Sequence, residues 1–227
     1  MRVEELRLSI GRETLAATRI LAGDESPGVV SFHGTGTAAH RGRVRYVLEH
    51  LAAGGVSSAC FDFSGHGESS GTFETATLRQ RIEEADAAAR ILCPPRPRAI
   101  IGASMGAHLA AVLRPRLQPR ALILFCPAAY PAQALDCTMS ALPRPGAYDD
   151  SPAFAALGGF DGTLLIVAGA NDTVVSPDVV TRYASSAPAA KTNVIELEEC
   201  GHAIHAWLAD HDRDRALVLN GIAAAIS

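Results

Sequence analysis

Residues 99–106 read Ala-Ile-Ile-Gly-Ala-Ser-Met-Gly, an apolar run followed by a glycine-rich turn with a serine at its centre. Composition and periodicity predict a strand over 99–101 and a helix over 105–113. A G-x-S-x-G pattern between a strand and a helix is typical of a nucleophile elbow, a turn sharp enough to strain its serine. Because the turn is so sharp, large side chains two positions before and two positions after Ser104 would collide, and both residues must be small. We therefore predict Ser104 as a nucleophile. The alternative is an ordinary glycine-rich turn with a surface serine.

The rest of the chain alternates between short apolar runs and amphipathic stretches. Strands are predicted over 6–10, 16–21, 29–32, 56–63, 99–101, 121–125, 163–167 and 192–197. Helices are predicted over 41–53, 78–92, 105–113 and 213–226. Near-continuous apolar strands separated by helices indicate an α/β fold with a mostly parallel central sheet and helices on both faces. Ligands bind such sheets at the carboxyl ends of the strands, so the residues after each strand are the candidate functional residues.

Length and composition favour one domain over 1–227. The chain is 48% hydrophobic and 19% charged, which excludes a disordered protein. The formal charge is -4 and Lys191 is the only lysine, so the composition does not indicate a basic surface that binds nucleic acid. The longest apolar stretch, 121–129, is far shorter than the roughly 20 residues that span a membrane. The acidic N-terminus predicts no secretory signal, and five irregularly spaced cysteines suit reduced thiols, so we expect a cytoplasmic protein.

Residues 62–69 read Asp-Phe-Ser-Gly-His-Gly-Glu-Ser and come directly after an apolar run. Together with His33-Gly34 after an earlier strand and the serine turn, this stretch resembles the α/β-hydrolase superfamily. The region 33–92 is similar to the small cinnamoyl and feruloyl esterases of that superfamily and to their serine-peptidase-like relatives. The resemblance spans 29–202 in the expected order and is weakest after Pro127. It implies an α/β-hydrolase fold.

In that superfamily the loop after an early strand supplies one oxyanion-hole N–H group, and the residue after the nucleophile supplies the other. His33-Gly34-Thr35-Gly36 occupies this place, so the backbone N–H groups of Thr35 and Met105 are the predicted donors. A rival interpretation exists, because 34–39 also fits the G-x-G-x-x-A dinucleotide fingerprint, with Asp62 as a ribose-binding acid. That reading predicts a nicotinamide-dependent oxidoreductase and leaves the serine turn unexplained.

The acid and the base of a triad follow the nucleophile in chain order in this superfamily. Asp172 comes after the strand 163–167 in a G-x-x-D-x-x-V pattern that resembles the family's acid loop; the alternative is an ordinary Asn-Asp turn. His202 follows Gly201 after the last strand and is the predicted general base. Its competitors are His205, three residues on, and His211.

The segment 127–161 is predicted as a small lid after the sixth strand, because its prolines discourage long helices. The predicted pocket residues are His33, Gly34, His66, Tyr130, Met139 and Leu142. The resemblance gives the turn 62–69 a structural role, with His66 as a candidate for substrate contact but not as the base. For the lid residues, the alternative is that they cover the sheet edge. No arginine cluster in the lid demands a multiply charged acyl group.

The predicted function is hydrolysis of carboxylic esters of small or aromatic acyl groups by Ser104, His202 and Asp172, through an acyl-enzyme. The expected partner is a small-molecule ester or acyl substrate, without a cofactor, a metal, nucleic acid or a membrane. Thioesterase, lactonase, peptidase, acyl-transfer and cyclisation activities use the same triad and stay open. A ligand-binding protein without catalysis is the alternative from another class. The sequence does not predict an oligomeric state.

Overall fold

The computed structural model describes residues 1–36 and 38–227, which form an eight-stranded sheet flanked by helices. The strands are β1 (Arg2–Ile10), β2 (Glu13–Leu21), β3 (Val29–Phe32), β4 (Ser58–Phe61), β5 (Ala99–Ala103), β6 (Ala121–Phe125), β7 (Thr163–Gly169) and β8 (Lys191–Leu197). The helices are α1 (Arg45–Ala53), α2 (Leu78–Leu92), α3 (Met105–Leu117), α4 (Pro152–Leu157), α5 (Pro177–Ser185), α6 (Ile204–Asp210) and α7 (Asp212–Ile226). Short 3₁₀ turns cover Arg41–Val44, Ala132–Asp136 and Met139–Ala141.

The sheet has the strand order β1-β2-β4-β3-β5-β6-β7-β8. β1 and β2 form an antiparallel hairpin, β2 also runs antiparallel to β4, and the other pairings are parallel. The register pairs Phe32 with Gly102 and Ala103 with Phe125, so the carboxyl ends of β3, β5 and β6 lie side by side. The predicted mostly parallel α/β sheet is confirmed, and the loops that carry the candidate residues share one edge.

The central strands are apolar throughout because both faces of the sheet are covered. In β6, Leu122 and Leu124 pack into the layer formed by α2, α3, α4 and α5. Ile123 and Phe125 pack into the layer formed by α1, α6 and α7. Within the described residues, none of the helices has the length and hydropathy to cross a lipid bilayer.

Several element boundaries differ from those expected from the sequence. β1 begins at Arg2 rather than at residue 6, because its pairing with β2 continues along a half-exposed hairpin that has a weak apolar pattern. β4 ends at Phe61 rather than at residue 63, because Asp62 already belongs to the turn that follows. α3 continues past Pro115, which lies in its last turn, where the missing N–H costs a single hydrogen bond.

The segment 127–161 forms two 3₁₀ turns and α4 and lies against the layer of α2, α3 and α5. Thr138 forms an isolated antiparallel bridge with Thr77 at the start of α2. The Tyr183 hydroxyl of α5 donates a hydrogen bond of 2.7 Å to the Ala128 carbonyl oxygen. These contacts hold the segment down on the helices that precede and follow it.

His108 of α3 is fully buried, and neither of its ring nitrogens has a hydrogen-bond partner among the described residues. Its ring packs edge-on against that of Tyr130, with the centroids 5.1 Å apart. Burial lowers the pKa of His108 from 6.5 to about 3, so the folded protein holds this imidazole neutral. The unfolded chain binds a proton there below about pH 6.5, and stability therefore falls as the pH drops from 6.5 towards 3.

We expect His108→Leu to reduce the acid sensitivity of the fold. Between pH 7.5 and 5 the free energy of unfolding should fall by about 2 kcal/mol less in this variant than in the wild type. Urea denaturation at the two pH values measures the difference. His50→Gln, which removes an exposed imidazole, should keep the full wild-type loss. Equal losses in the wild type and His108→Leu would rule out this imidazole as a source of acid sensitivity.

Candidate active site

Three polar side chains meet at the carboxyl edge of the sheet, where Ser104 follows β5, Asp172 follows β7 and His202 follows β8. His202 Nε2 lies 3.0 Å from Ser104 Oγ, and His202 Nδ1 lies 2.8 Å from Asp172 Oδ2. The Asp172 side chain is 6% exposed and the His202 side chain 26%, so the chain of hydrogen bonds runs from a buried carboxylate to an accessible imidazole. The structure thus brings together the three residues predicted as nucleophile, base and acid.

The turn at Ser104 is strained and leaves no space for side chains beside it. Ser104 has φ 50° and ψ -114°, a left-handed conformation that non-glycine residues rarely adopt. A Cβ atom at Gly102 would lie 2.6 Å from Ala107 Cα, and one at Gly106 would lie 2.1 Å from the Phe32 carbonyl oxygen. The close packing of α3 on β3 and β5 therefore requires both glycines of the G-x-S-x-G pattern.

The loops after β7 and β8 are bonded to each other, which fixes the geometry of the Asp172–His202 pair. The Asn171 N–H donates a hydrogen bond of 2.9 Å to the Cys200 carbonyl oxygen. Asp172 Oδ1 accepts two backbone N–H groups from residues 174–175, at 2.8 and 2.9 Å, and Oδ2 is left for the imidazole. Because a carboxylate only accepts, Nδ1 of the imidazole carries the proton and Nε2 faces the serine as a proton acceptor.

The backbone N–H groups of Thr35 and Met105, the predicted oxyanion donors, make no hydrogen bond to another described residue. Met105 is the first residue of α3, and its N–H therefore has no acceptor within the helix. Thr35 lines the same cavity as Ser104. A Cβ atom at the neighbouring Gly34 would lie 3.2 Å from Ser104 Cβ, so the loop after β3 runs directly against the serine.

His33 fixes the backbone of that loop. Its Nε2 accepts the Phe63 N–H at 3.0 Å, so Nδ1 carries the proton and donates to the Gly34 carbonyl oxygen at 2.7 Å. Burial, followed by the charge of His66, lowers the pKa of His33 to about 3. The imidazole is therefore neutral at pH 7, and it holds the Gly34 carbonyl oxygen on the side of the turn 62–69.

His66 lies behind the loop rather than in the cavity. It is 3% exposed, and its ring packs against His33 at 4.8 Å and against Phe73 at 5.1 Å, measured between centroids. Burial, followed by the charge of Arg81, lowers the pKa of His66. His66 therefore supports the loop through packing, and the expectation that it lines the pocket is not met.

Asp62 is fully buried and ion-paired with Arg41, whose backbone N–H also donates to Asp62 Oδ1 at 2.5 Å. A ribose-binding acid would have to face a ligand, so this carboxylate does not suit the dinucleotide interpretation. Thr37, a member of the pattern at 34–39, lies outside the described residues. Gly34 and Thr35 line the cavity beside Ser104 instead.

The turn 62–69 is also tied to α2 by a network of four side chains, in which half-buried Gln80 joins three buried residues. Ser64 Oγ donates to Glu84 Oε1 at 2.5 Å, and Arg81 Nη1 donates to Ser64 Oγ at 2.7 Å and to Glu84 Oε2 at 2.9 Å. Arg81 is 0% and Glu84 3% exposed, so each charge depends on the other for compensation.

A cavity of about 220 Å³ opens beside Ser104, between the loop after β3, the 3₁₀ turn Arg41–Val44 and the first turn of α6. Its apolar wall includes Phe32 and Ile204 together with the smaller side chains of Ala38, Ala39, Val44 and Ala103. Its polar wall includes His40, Arg41, Arg43, His202 and His205. Among the residues that the structure describes, no group of His, Cys, Asp and Glu side chains is arranged to hold a metal ion.

Of the predicted pocket residues, His33 and Gly34 line this cavity, whereas Tyr130, Met139 and Leu142 do not. Tyr130 and Met139 are buried in the hydrophobic core at 2% and 6% exposure, and Leu142 packs against that core. The physical reason is that the segment 127–161 lies down on the helices, so its apolar side chains cover the helix layer. As in the alternative interpretation, these residues act as a cover, and what they cover is the helix layer.

His205, the competing base, lies in the first turn of α6 and belongs to the cavity wall. Its Nδ1 is 3.1 Å from the Tyr46 hydroxyl, and its ring packs against Phe125 with the centroids 4.6 Å apart. Burial, followed by the charge of Arg43, lowers the pKa of His205 to about 4. No hydrogen bond joins it to Ser104 within the described part of the chain, so only His202 occupies the position of the base.

Arg43 and His205 line the cavity although neither is among the pocket residues predicted from the sequence. The available signal was the basic run His40-Arg41-Gly42-Arg43, which follows the predicted oxyanion loop within a few residues. His205 was considered only as a base.

The sheet order, the serine turn and the loops at its carboxyl edge define an α/β-hydrolase. The sequence profile of a family described as serine aminopeptidase, S33, matches residues 25–146, just over half of the chain, and the chain belongs to that family. The matched range includes Ser104 and the loop after β3. Asp172 and His202 lie beyond it.

Solved structures share the fold over nearly the whole chain. A putative hydrolase from Agrobacterium vitis S4 is 20% identical with 100% of both chains covered and a TM-score of 0.76. Mouse alpha/beta hydrolase domain-containing protein 10 is 19% identical with 98% of each chain covered and a TM-score of 0.73. Est1E from Butyrivibrio proteoclasticus, solved with bound ferulic acid, is 20% identical, with 97% of this chain and 99% of that chain covered and a TM-score of 0.71. A search of curated proteins finds no match.

We expect Glu84→Ala to lower the free energy of unfolding by about 3–5 kcal/mol, because it leaves the Arg81 guanidinium buried without a counter-charge. The double variant Arg81→Met/Glu84→Leu should recover most of this loss. Urea denaturation measures both. Glu49→Gln removes the exposed pair with Arg45 and should change stability by less than about 0.5 kcal/mol. A Glu84→Ala effect as small as that of Glu49→Gln would show that the pair does not brace the fold.

Proposed function

We propose that the protein hydrolyses carboxylic esters of small or aromatic acyl groups through an acyl-enzyme on Ser104. The observation that carries the proposal is the continuous chain of hydrogen bonds from Asp172 through His202 to Ser104, at 2.8 and 3.0 Å. Nucleophilic catalysis needs this arrangement of a base next to the hydroxyl and a third group that orients the base.

In the proposed acylation step, His202 Nε2 takes the Ser104 hydroxyl proton while Oγ attacks the ester carbonyl carbon. The oxygen that becomes negative is bound by the N–H groups of Thr35 and Met105. His202 then gives the proton to the leaving alcohol. Water repeats the attack on the acyl-enzyme with the same base, which releases the acid and restores the serine.

The cavity limits the size and charge of the substrate. Its volume of about 220 Å³ lies below the roughly 300–1,000 Å³ of sites for drug-sized ligands, which supports a small acyl group. The family description names an aminopeptidase, an activity that binds a positively charged α-amino group. The Arg43 guanidinium of the cavity wall, which forms no salt bridge with a described residue, repels such a group, and this favours an ester over a peptide with a free amino terminus.

We also propose that the enzyme works in the cytoplasm. All five cysteines are free thiols, and four of them are buried. This state suits a reducing compartment.

Ser104→Ala should lower ester turnover by about 10⁴- to 10⁶-fold without unfolding the protein. Hydrolysis of p-nitrophenyl esters from acetate to cinnamate gives the rates, and fluorophosphonate labelling with peptide mapping identifies the reactive serine. Ser9→Ala, which changes an exposed serine of β1, should leave both readouts unchanged. Retained turnover in Ser104→Ala would exclude the mechanism. Labelling of Ser104 without turnover of any ester would favour a non-hydrolytic use of the same serine.

His33→Phe should lower kcat by about 10- to 100-fold with a small change in KM, because the Gly34 carbonyl loses its donor and the oxyanion N–H of the next residue loses its alignment. The same p-nitrophenyl esters measure the effect. His66→Phe keeps the packing behind the loop and should change kcat far less. Equal losses in the two variants would mean that the effect arises from packing and not from the hydrogen bonds of His33.

A further inference from the structure

The cavity beside Ser104 has a one-sided charge distribution. No Asp or Glu side chain lines it among the described residues, whereas the guanidinium-bearing residues Arg41 and Arg43 do. The whole chain has a formal charge of -4, so this basic wall is a local feature and not a consequence of composition. Charge of one sign in a concave, largely apolar site attracts a ligand group of the opposite sign.

The two arginines of the wall differ in their partners. Arg41 is compensated by Asp62, Glu68 and Glu5, to all of which it is ion-paired. Arg43 forms no salt bridge with a described residue, and its Nη2 makes only a weak contact of 3.5 Å with the carbonyl oxygen of Ala38, itself a cavity residue. Among the described residues, the Arg43 guanidinium thus has no counter-charge, and it makes a single weak hydrogen bond.

His205 adds a second hydrogen-bonding group to the same wall. The Tyr46 hydroxyl and the Phe125 ring hold its imidazole in place, and the hydrogen bond to Tyr46 uses Nδ1. Nε2 makes no hydrogen bond to a described residue, and His205 as a whole is half-buried. Because His205 lines the cavity, its side chain can contact a bound ligand.

We propose that Arg43, assisted by His205, selects substrates whose short acyl chain ends in a carboxylate, so that the preferred esters are monoesters of small dicarboxylic acids. This inference rests on the proposed function, because it assigns the cavity to the acyl group of an ester cleaved at Ser104. The apolar wall contacts the methylene groups, and the guanidinium binds the terminal carboxylate through charge-assisted hydrogen bonds.

The experiment compares p-nitrophenyl monoglutarate with p-nitrophenyl valerate, two esters of equal chain length that differ in the terminal carboxylate. Ser104→Ala supplies the background, since the monoglutarate ester also hydrolyses by itself. The wild type should prefer the monoglutarate in kcat/KM. Arg43→Gln should lower the monoglutarate-to-valerate ratio about tenfold, mainly through KM, which corresponds to one charge-assisted hydrogen bond.

Two further variants define the outcome. Arg12→Gln removes an exposed arginine outside the cavity and should leave the ratio at its wild-type value. His205→Phe keeps the aromatic packing and should lower the ratio about threefold. If the wild type cleaves both esters and Arg43→Gln does not change the ratio, the inference is overturned and the esterase proposal stands. If the wild type cleaves neither ester and Ser104 is not labelled by fluorophosphonate, both are overturned.

Discussion

The approach of α3 to the edge of β3 and β5 is the constraint on which the rest of the site depends. With Gly106 against the Phe32 carbonyl oxygen and Gly102 against Ala107, the chain can leave β5 and enter α3 only through a left-handed residue at 104. That turn lifts the serine hydroxyl above the sheet edge and directs the first free N–H of α3 to the same side. The proposed nucleophile and one proposed oxyanion donor therefore come from a single steric requirement. Its backbone strain of about 1–3 kcal/mol is balanced by the packing of a buried helix.

Two buried histidines are held in their neutral form. His33 and His108 are buried, and burial holds the pKa of each at about 3, far below that of a free histidine. His33 uses its neutral state structurally, since an imidazole that accepts from Phe63 and donates to Gly34 must carry one proton. His108 has no such hydrogen bonds among the described residues and contributes packing alone. The number of histidines is therefore a poor guide to the proposed base, because the position of a ring relative to Ser104 decides which histidine can fill that role.

Local constraints explain why the sequence predicted the fold and the placement of Ser104, Asp172 and His202 but not the pocket. The serine turn and the two late loops follow buried strands directly, so periodicity and chain order suffice to place them at one edge. The direction in which the segment 127–161 folds depends on tertiary contacts, such as the Tyr183 hydroxyl on the Ala128 carbonyl oxygen. No local pattern encodes such contacts. The proposed role of Arg43 also depends on tertiary contacts. The nearby carboxylates form salt bridges with Arg41 and not with Arg43.

The turn 62–69 joins the proposed chemistry to the proposed selectivity. It holds the beginning of the loop after β3 through the Phe63 N–H on His33, and it holds the following 3₁₀ turn through Asp62 on Arg41. The oxyanion N–H of Thr35 lies near the first anchor, and Arg43 lies two residues beyond the second. Since one buried turn positions both ends of the segment, and α2 braces that turn through Glu84, a disturbance there would displace the oxyanion donor and the basic wall together. A substitution at Arg43 itself leaves both anchors intact, and it therefore separates selectivity from the assembly of the site.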